Sequence, residues 1–187
     1  RVPTALSFQT ISSGYSLSQG SAQYDGIMSW STFEHVRRDQ LSLILEDLHA
    51  CLRPGGYFFI QIEPLYFSAY GSHLRRYDET PWHHLLATED ELWKVIEAHQ
   101  GPIDPAEVDF GFADFGVEGY KRFVFNEYKA LNRLTADELV AFAQSAGFNV
   151  AREERRSLDI LPPDSLLAQY PRDWLTNNEI FLLLRKG

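Results

Sequence analysis

Residues 24–36, YDGIMSWSTFEHV, change from an apolar run to polar residues, and this change decides the fold. Residues 24–30 have the apolar content and the length of a buried strand. Hydroxyl side chains follow, and Glu34 and His35 then stand side by side before Val36. The sequence therefore predicts a strand that leaves the core and ends on polar groups.

A helix and a second strand follow this first strand. Residues 37–52 place apolar side chains at helical spacing along one stripe, which predicts a packed helix. The stripe consists of Leu41, Ile44, Leu45, Leu48 and Leu52. Pro54-Gly55-Gly56 ends the pattern, because proline lacks an amide donor and glycine tolerates positive φ. The apolar run 57–63 predicts the second strand, and a strand–helix–strand unit makes the two strands parallel neighbours.

The chain after residue 63 shows a different arrangement. Capping boxes at 88–91 and 135–138 predict two helix starts. Residues 148–154 and 179–186 read as strands with no long helix between them, so an antiparallel pair is expected. We interpret 1–187 as a single domain in which 64–133, longer than any usual connection, is an inserted region.

Composition excludes several classes of function. The net charge is −9, from 17 basic and 26 acidic residues, which argues against a nucleic-acid partner. Cys51 is the only cysteine, so an intrachain disulfide is excluded and a reducing, cytoplasmic location is the default. No apolar run approaches the roughly 18 residues of a membrane span, so no membrane partner is expected.

Three motifs in this order resemble the C-terminal half of class I S-adenosylmethionine-dependent methyltransferases: YDGIMSWSTFEHV, LHACLRPGGYFFIQIEP and LTADELVAFAQSAGFNV. The resemblance covers about residues 18–186. It implies an α/β fold, a partial Rossmann-like sheet of parallel strands with an antiparallel C-terminal strand pair. It also implies S-adenosylmethionine as the cofactor of the full-length enzyme.

The resemblance also assigns cofactor contacts. The adenine-contacting motif of the family falls on Gly20, Ser21 and Ala22, where Ser21 replaces the usual Asp and weakens the expected hydrogen bond. Trp30 follows the strand and either packs on the cofactor or is a core aromatic, two readings of equal weight. Glu34 either begins a helix or faces a cleft at the strand end, and the strand-end context favours the cleft.

A metal site is not predicted. Some relatives carry a further Glu three residues before the Glu-His pair and bind a divalent metal, but that position is Ser31 here. His83 and His84 are adjacent, so on a helix they would diverge, and they are expected to be surface residues rather than ligands.

A glycine-rich cofactor turn is absent from the sequence. None of the 12 glycines forms G-x-G, the turn that holds the cofactor carboxylate in the family. We expect the first two βα units to be missing, Arg1 to lie inside a longer polypeptide, and the chain by itself to bind S-adenosylmethionine weakly and be inactive. The open sheet would then expose apolar surface near Ile27 and Phe59, which favours homo-oligomers.

The inserted region is expected to contribute the substrate side. Its aromatics either line a pocket for a small-molecule or glycan-like acceptor or build a subsidiary core, and both can hold. Tyr70 and Trp82 are the candidate substrate contacts together with Glu34. His35 or His73 is the candidate general base for an oxygen nucleophile, and His73 and Trp82 should face the cleft of His35.

A second function class stays open. The chain could be a non-catalytic methyltransferase-like scaffold of a larger protein. A strand followed by G-x-G and an acidic residue upstream of Arg1 would favour the enzyme, and their absence would favour the scaffold.

Overall fold

The computed structural model describes residues 17, 24–101 and 116–187. Within them lies a four-stranded sheet in the order β1-β2-β4-β3. The strands are β1 (Tyr24–Trp30), β2 (Leu52–Ile62), β3 (Phe148–Ser157) and β4 (Asn177–Lys186). β1 and β2 run parallel, whereas β2–β4 and β3–β4 are antiparallel.

The strand pairings confirm the predicted fold class. β1 lies parallel to β2 as the strand–helix–strand pattern predicts, and β3 pairs antiparallel with β4. β4 also inserts between β2 and β3. Strand composition does not specify which neighbour a returning strand pairs with, so this insertion was not predicted.

Seven α-helices and two short 3₁₀ turns are present in the described residues. The 3₁₀ turns are Phe33–His35 and Arg38–Gln40. The helices are α1 (Leu41–Cys51), α2 (His83–Leu86), α3 (Glu89–Ala98), α4 (Gly116–Ala130), α5 (Ala136–Ser145), α6 (Asp164–Leu167) and α7 (Arg172–Thr176). Both predicted capping boxes form, at the starts of α3 and α5.

The start of β2 differs from the prediction. α1 ends at Cys51 and β2 begins at Leu52, so the strand includes Pro54-Gly55-Gly56 rather than starting after them. Pairing shifts from Tyr24–Leu52 to Gly26–Tyr57, which leaves the extra residues of β2 bulged out of the ladder. Gly55 has φ of 78°, a conformation that glycine adopts without strain.

The main core covers one face of the sheet, where α1 and α5 pack. Phe58 is fully buried there, with its ring 5.8 Å from that of Phe33 and 5.9 Å from that of Phe148. The aliphatic side chains of the strands and helices complete this core: Leu41, Leu45, Ile60, Ile62, Leu139, Ile180, Leu182 and Leu184.

The opposite face of the sheet is more open. Met28 is 72% exposed, and Trp30 on the same face is 57% exposed. Ile27, in contrast, is partly buried and packs against the core, because neighbouring side chains of a strand point to opposite faces. Its strand β1 lies at the edge of the described sheet. Self-association through this face stays a prediction.

The inserted region builds apolar clusters of its own. One cluster joins Tyr66 and Leu74 to α3 and α4. The other joins Ala69 and Trp82 to Leu166 and Leu175 in the connection before β4. The subsidiary core predicted for these aromatics is therefore present. Among the described residues, no helix combines the length and apolarity needed to cross a membrane.

Candidate functional site

The carboxyl end of β1 turns sharply toward β2. Ser31 has φ of 43°, and its backbone N–H donates to the carbonyl of Gln61 at 3.0 Å. Its hydroxyl donates to Oε1 of Gln61, also at 3.0 Å. These bonds fix the turn against the end of the parallel neighbour, and the 3₁₀ turn that carries Glu34 and His35 follows at once.

Asn132 holds this 3₁₀ turn from the other side. Its Nδ2 donates to the carbonyls of Phe33 at 2.6 Å and Val36 at 2.9 Å, and its backbone N–H donates to the carbonyl of Glu34 at 3.0 Å. Its Oδ1 accepts from the N–H of Leu134 at 3.0 Å. The sequence analysis did not single out Asn132, because an amide between two helices carries no motif.

Glu34 is a buried acid without a partner. The residue is 5% exposed, and neither carboxyl oxygen has a hydrogen-bond partner in the part of the chain that the structure describes. Burial raises the pKa of this carboxyl to about 7. Glu34 thus lies in the short 3₁₀ turn but is not solvated, and its predicted contact with a substrate stays a prediction.

His73 approaches Glu34 from the inserted region, on a backbone with φ of 61°. The backbone of Pro64, which offers a carbonyl and no N–H, favours the protonated ring and so opposes the lowering of its pKa. Nε2 is buried and has no hydrogen-bond partner among the described residues. Burial, with a smaller contribution from the neighbouring His35, lowers the pKa of His73 to about 4.

His35 completes the cluster. Its ring lies edge-on to that of His73, with the centroids 5.3 Å apart. Its Nδ1 lies 3.7 Å from Oε2 of Glu127 on α4. Burial lowers the pKa of His35, and the charge of Glu127 opposes that shift. The side chain remains 36% exposed, which makes it the most accessible member of the cluster.

We call Glu34, His35 and His73 the acid–imidazole cluster. One ligand atom from each of the three lies within 4.8 Å of the other two. A pocket lined by Glu34, His73 and the 131–134 segment adjoins them, and its enclosed space suits one water molecule or ion. The cluster can therefore accept a proton or coordinate a cation.

Comparison with known families identifies the domain. The profile of a family described as a methyltransferase domain matches residues 7–153. The chain belongs to this methyltransferase family. The cofactor of such a domain is S-adenosylmethionine, as the sequence analysis expects. No curated protein matches the chain.

Several solved structures resemble the domain at low identity. One is a SAM-dependent methyltransferase, possible histamine N-methyltransferase, from Thermotoga maritima: 15% identity, 87% of this chain and 56% of that chain covered, TM-score 0.44. Another is the cyclopropane synthase MmaA2 of Mycobacterium tuberculosis: 14% identity, 90% and 57% covered, TM-score 0.44.

A third is phosphoethanolamine N-methyltransferase 2 of Haemonchus contortus, solved in complex with S-adenosyl-L-methionine. It shows 11% identity and a TM-score of 0.40, with 88% of this chain and 33% of that chain covered. This methyltransferase domain thus spans between one third and three fifths of the length of these structures.

The described residues of the methyltransferase domain fit part of a cofactor site. Trp30 stands at the carboxyl end of β1 and is 57% exposed, so it is not a core aromatic. The rings of Phe59 and Phe181 support it from the sheet, at centroid distances of 6.1 and 6.4 Å. The other predicted cofactor residues, Gly20, Ser21 and Ala22, lie outside the described residues.

Two predicted substrate residues pack in a separate apolar group. Trp82 is 2% exposed, and its Nε1 donates to the carbonyl of Phe67 at 3.2 Å. It packs with Leu166 and Leu175, and Tyr70 packs against the same group. The expectation that Trp82 faces the cleft of His35 is therefore wrong, because the connection before β4 covers this indole.

The two adjacent histidines also differ from the prediction. His84 is 6% exposed, so its assignment to the surface is wrong. Its Nε2 donates to the carbonyl of Tyr66 at 2.7 Å, and the α2 turn directs the ring into the protein. His83 remains partly exposed and pairs with Asp78.

Proposed function

We propose that the chain forms the acceptor side of an S-adenosylmethionine-dependent methyltransferase that acts on a small-molecule or glycan-like acceptor. The observation that carries this proposal is the acid–imidazole cluster. It follows directly on the carboxyl end of β1 in a methyltransferase domain, the edge where open α/β sheets bind ligands. The small enclosed space beside it suits one polar group of an acceptor.

The cofactor, when bound, supplies a methyl group on a sulfonium that is already activated as a leaving group. The protein's task is then to place the acceptor nucleophile in line with that methyl group. His35 is the accessible ring of the cluster, and we assign it the contact with the nucleophile and its proton. His73 is the more buried ring of the two, and we assign it the orientation of the same group.

Trp30 is the described residue that would hold the cofactor. Its exposed indole face is supported by two further rings, so it is fixed in place before any ligand arrives. A sulfonium cation over this face would gain about 1–2 kcal/mol. Trp30 ends β1, and the 3₁₀ turn with Glu34 and His35 follows it directly in the chain.

Turnover and donor affinity should respond to different residues. In the protein that carries this chain, His35→Gln should lower the rate of methyl transfer about a hundredfold with little change in donor affinity. Trp30→Ala should weaken donor binding about 5- to 30-fold. Calorimetric titration of the donor and single-turnover transfer of a labelled methyl group measure the two effects.

His83→Gln is the matched control, because it removes an imidazole that pairs with Asp78 outside the cluster. It should leave both quantities unchanged. Unchanged turnover in His35→Gln would remove this residue from the reaction. A protein that neither binds the donor nor transfers methyl groups would be a methyltransferase-like scaffold instead.

A further inference from the structure

We propose that Glu34, His35 and His73 form a binding site for a divalent transition-metal ion of the zinc type. The sequence pattern alone argued against a metal, because Ser31 occupies the position where some relatives have another Glu. The fold supplies a third ligand from elsewhere: His73, from the inserted region, brings its ligand atom within 4.8 Å of those of Glu34 and His35.

Glu34 has the properties of a metal ligand, because its carboxyl group is buried and has no hydrogen-bond partner among the described residues. A carboxylate removed from water without a partner is strongly unfavourable, and buried charges in proteins are paired or coordinate metals. The described residues that line the adjoining pocket include Arg133, but its guanidinium lies over the ring of Tyr66.

His73 contributes a buried ring nitrogen without a hydrogen bond: Nε2 has no partner among the described residues. The backbone carbonyl of Pro64 acts on the same ring and opposes the lowering of its pKa. Metal-binding histidines characteristically donate their other ring N–H to a carbonyl or carboxylate, which fixes the tautomer and the ring orientation. We assign the Pro64 carbonyl this role and Nε2 the role of ligand atom.

For His35 the group that faces the second ring nitrogen is a carboxylate. Oε2 of Glu127 lies 3.7 Å from its Nδ1, so a carboxylate on α4 faces one side of the ring and leaves Nε2 for the ion. Both imidazoles are thus backed by an acceptor, a carbonyl in one case and a carboxylate in the other. This second layer of contacts separates the cluster from a chance meeting of polar side chains.

The ligand set selects the class of ion. Two imidazole nitrogens and one carboxylate suit Zn²⁺, Fe²⁺ or Co²⁺, whereas Mg²⁺ and Ca²⁺ prefer shells made of oxygen. Three protein ligands leave at least one coordination position open, as in catalytic rather than structural zinc sites. The small pocket beside Glu34 and His73 has room for one ion.

Metal binding by the cluster can be tested independently of methyl transfer. A role of the metal in methyl transfer rests on the proposed function. An acceptor hydroxyl in the open position would lose its proton more easily on the metal, and that proton would pass to solvent. The metal would then replace His35 as the group that activates the nucleophile. In the metal-free protein His35 keeps the role proposed above, and metal titration tests the metal site without any activity measurement.

Cobalt absorption provides the direct test. Purified protein, freed of its affinity tag and stripped with a chelator, is titrated with Co²⁺ while visible absorption is recorded. One equivalent should bind saturably with visible bands. Glu34→Gln and His73→Gln should each weaken binding at least about tenfold. His83→Gln should bind like the wild type, since that ring lies outside the cluster.

The residue behind His35 gives a second, graded test. Glu127→Gln should weaken Co²⁺ binding about tenfold, and Glu118→Gln, an exposed acid on the same helix, should not. Zn²⁺ should raise the thermal midpoint of the wild type but not of Glu34→Gln, whose far-UV circular dichroism reports whether it is folded.

Absence of saturable Co²⁺ binding by the wild type would overturn the site. Equal affinity in wild type, Glu34→Gln and His73→Gln would overturn it as well. Donor titration of the metal-free protein reports on the proposed methyltransferase function separately, so failure of one proposal does not mask the other.

Discussion

Phe58→Ala is expected to lower the free energy of unfolding by about 3–5 kcal/mol. Phe58 is fully buried in the middle strand pair, and its ring lies between those of Phe33 and Phe148. Truncation removes the contacts that join β2 to both the 3₁₀ turn of the site and β3. The close-packed neighbours can fill the cavity only in part, so the loss exceeds the transfer free energy of the ring alone. Urea unfolding followed by circular dichroism measures the effect.

Phe59→Ala is the matched control, because it removes the same ring from the next position of the same strand. Phe59 lies on the open face, partly exposed, against Trp30 and Phe181. Its loss should lower the free energy of unfolding by only about 1 kcal/mol. Equal losses for the two variants would show that the two faces of the sheet are equally buried in solution, contrary to the structure.

Elements that depend on the spacing of residues close together in the sequence could be predicted from it. The β1–α1–β2 unit follows from apolar spacing and from the Pro-Gly-Gly stop, and it forms with its strands parallel. The capping boxes Thr88–Glu91 and Thr135–Glu138 both form as predicted, since their hydrogen bonds lie within four residues. Such features depend on neighbours along the chain, which the sequence shows directly.

Predictions from the sequence were wrong where a distant segment of the chain buries a residue. Trp82 and His84 belong to a polar-looking stretch, yet both are buried. Trp82 is covered by Leu166 and Leu175, which lie far along the chain. A pattern within one segment does not show which later segment will pack on it, so both residues were assigned to a cleft or a surface.

The candidate site was predicted in part. The strand-end rule correctly brought attention to Glu34 and His35, and the path of the chain after β2 made His73 a candidate neighbour. The rings of His35 and His73 do meet. Two further features of the site arise from tertiary packing alone: the absence of any partner for Glu34 in the described residues, and the position of Glu127 behind His35.

Among the residues that position the acid–imidazole cluster, Asn132 is expected to have the largest effect on the free energy of unfolding. It makes three side-chain hydrogen bonds, two donated to Phe33 and Val36 and one accepted from Leu134. The residue is 9% exposed, so its loss would leave the Val36 carbonyl and the Leu134 N–H without partners in a largely dry environment, while the Phe33 carbonyl would keep only the N–H of Val36 at 3.3 Å. Each orphaned buried group costs about 1–3 kcal/mol, reduced where water can enter. Asn132→Ala should therefore lower the free energy of unfolding by about 3 kcal/mol.

Asn149→Ala provides the matched stability control. Asn149 is an exposed residue of β3, so the same truncation there should change the free energy of unfolding by less than about 0.5 kcal/mol. Urea unfolding of the two variants measures the difference directly. A loss below about 1 kcal/mol for Asn132→Ala would mean that water replaces its hydrogen bonds at little cost.

A second control separates positioning of the site from stability. Leu166→Ala should destabilise the protein by about 2–5 kcal/mol, because Leu166 is fully buried, but it lies in the cluster around Trp82 rather than at the site. If Asn132 positions Glu34 and His35 as the structure indicates, Asn132→Ala should weaken Co²⁺ binding about tenfold under conditions in which both variants are folded. Leu166→Ala should bind Co²⁺ with wild-type affinity. Equal weakening in the two variants would assign the loss to general destabilisation, and unchanged binding in Asn132→Ala would show that the 3₁₀ turn keeps its geometry without this amide.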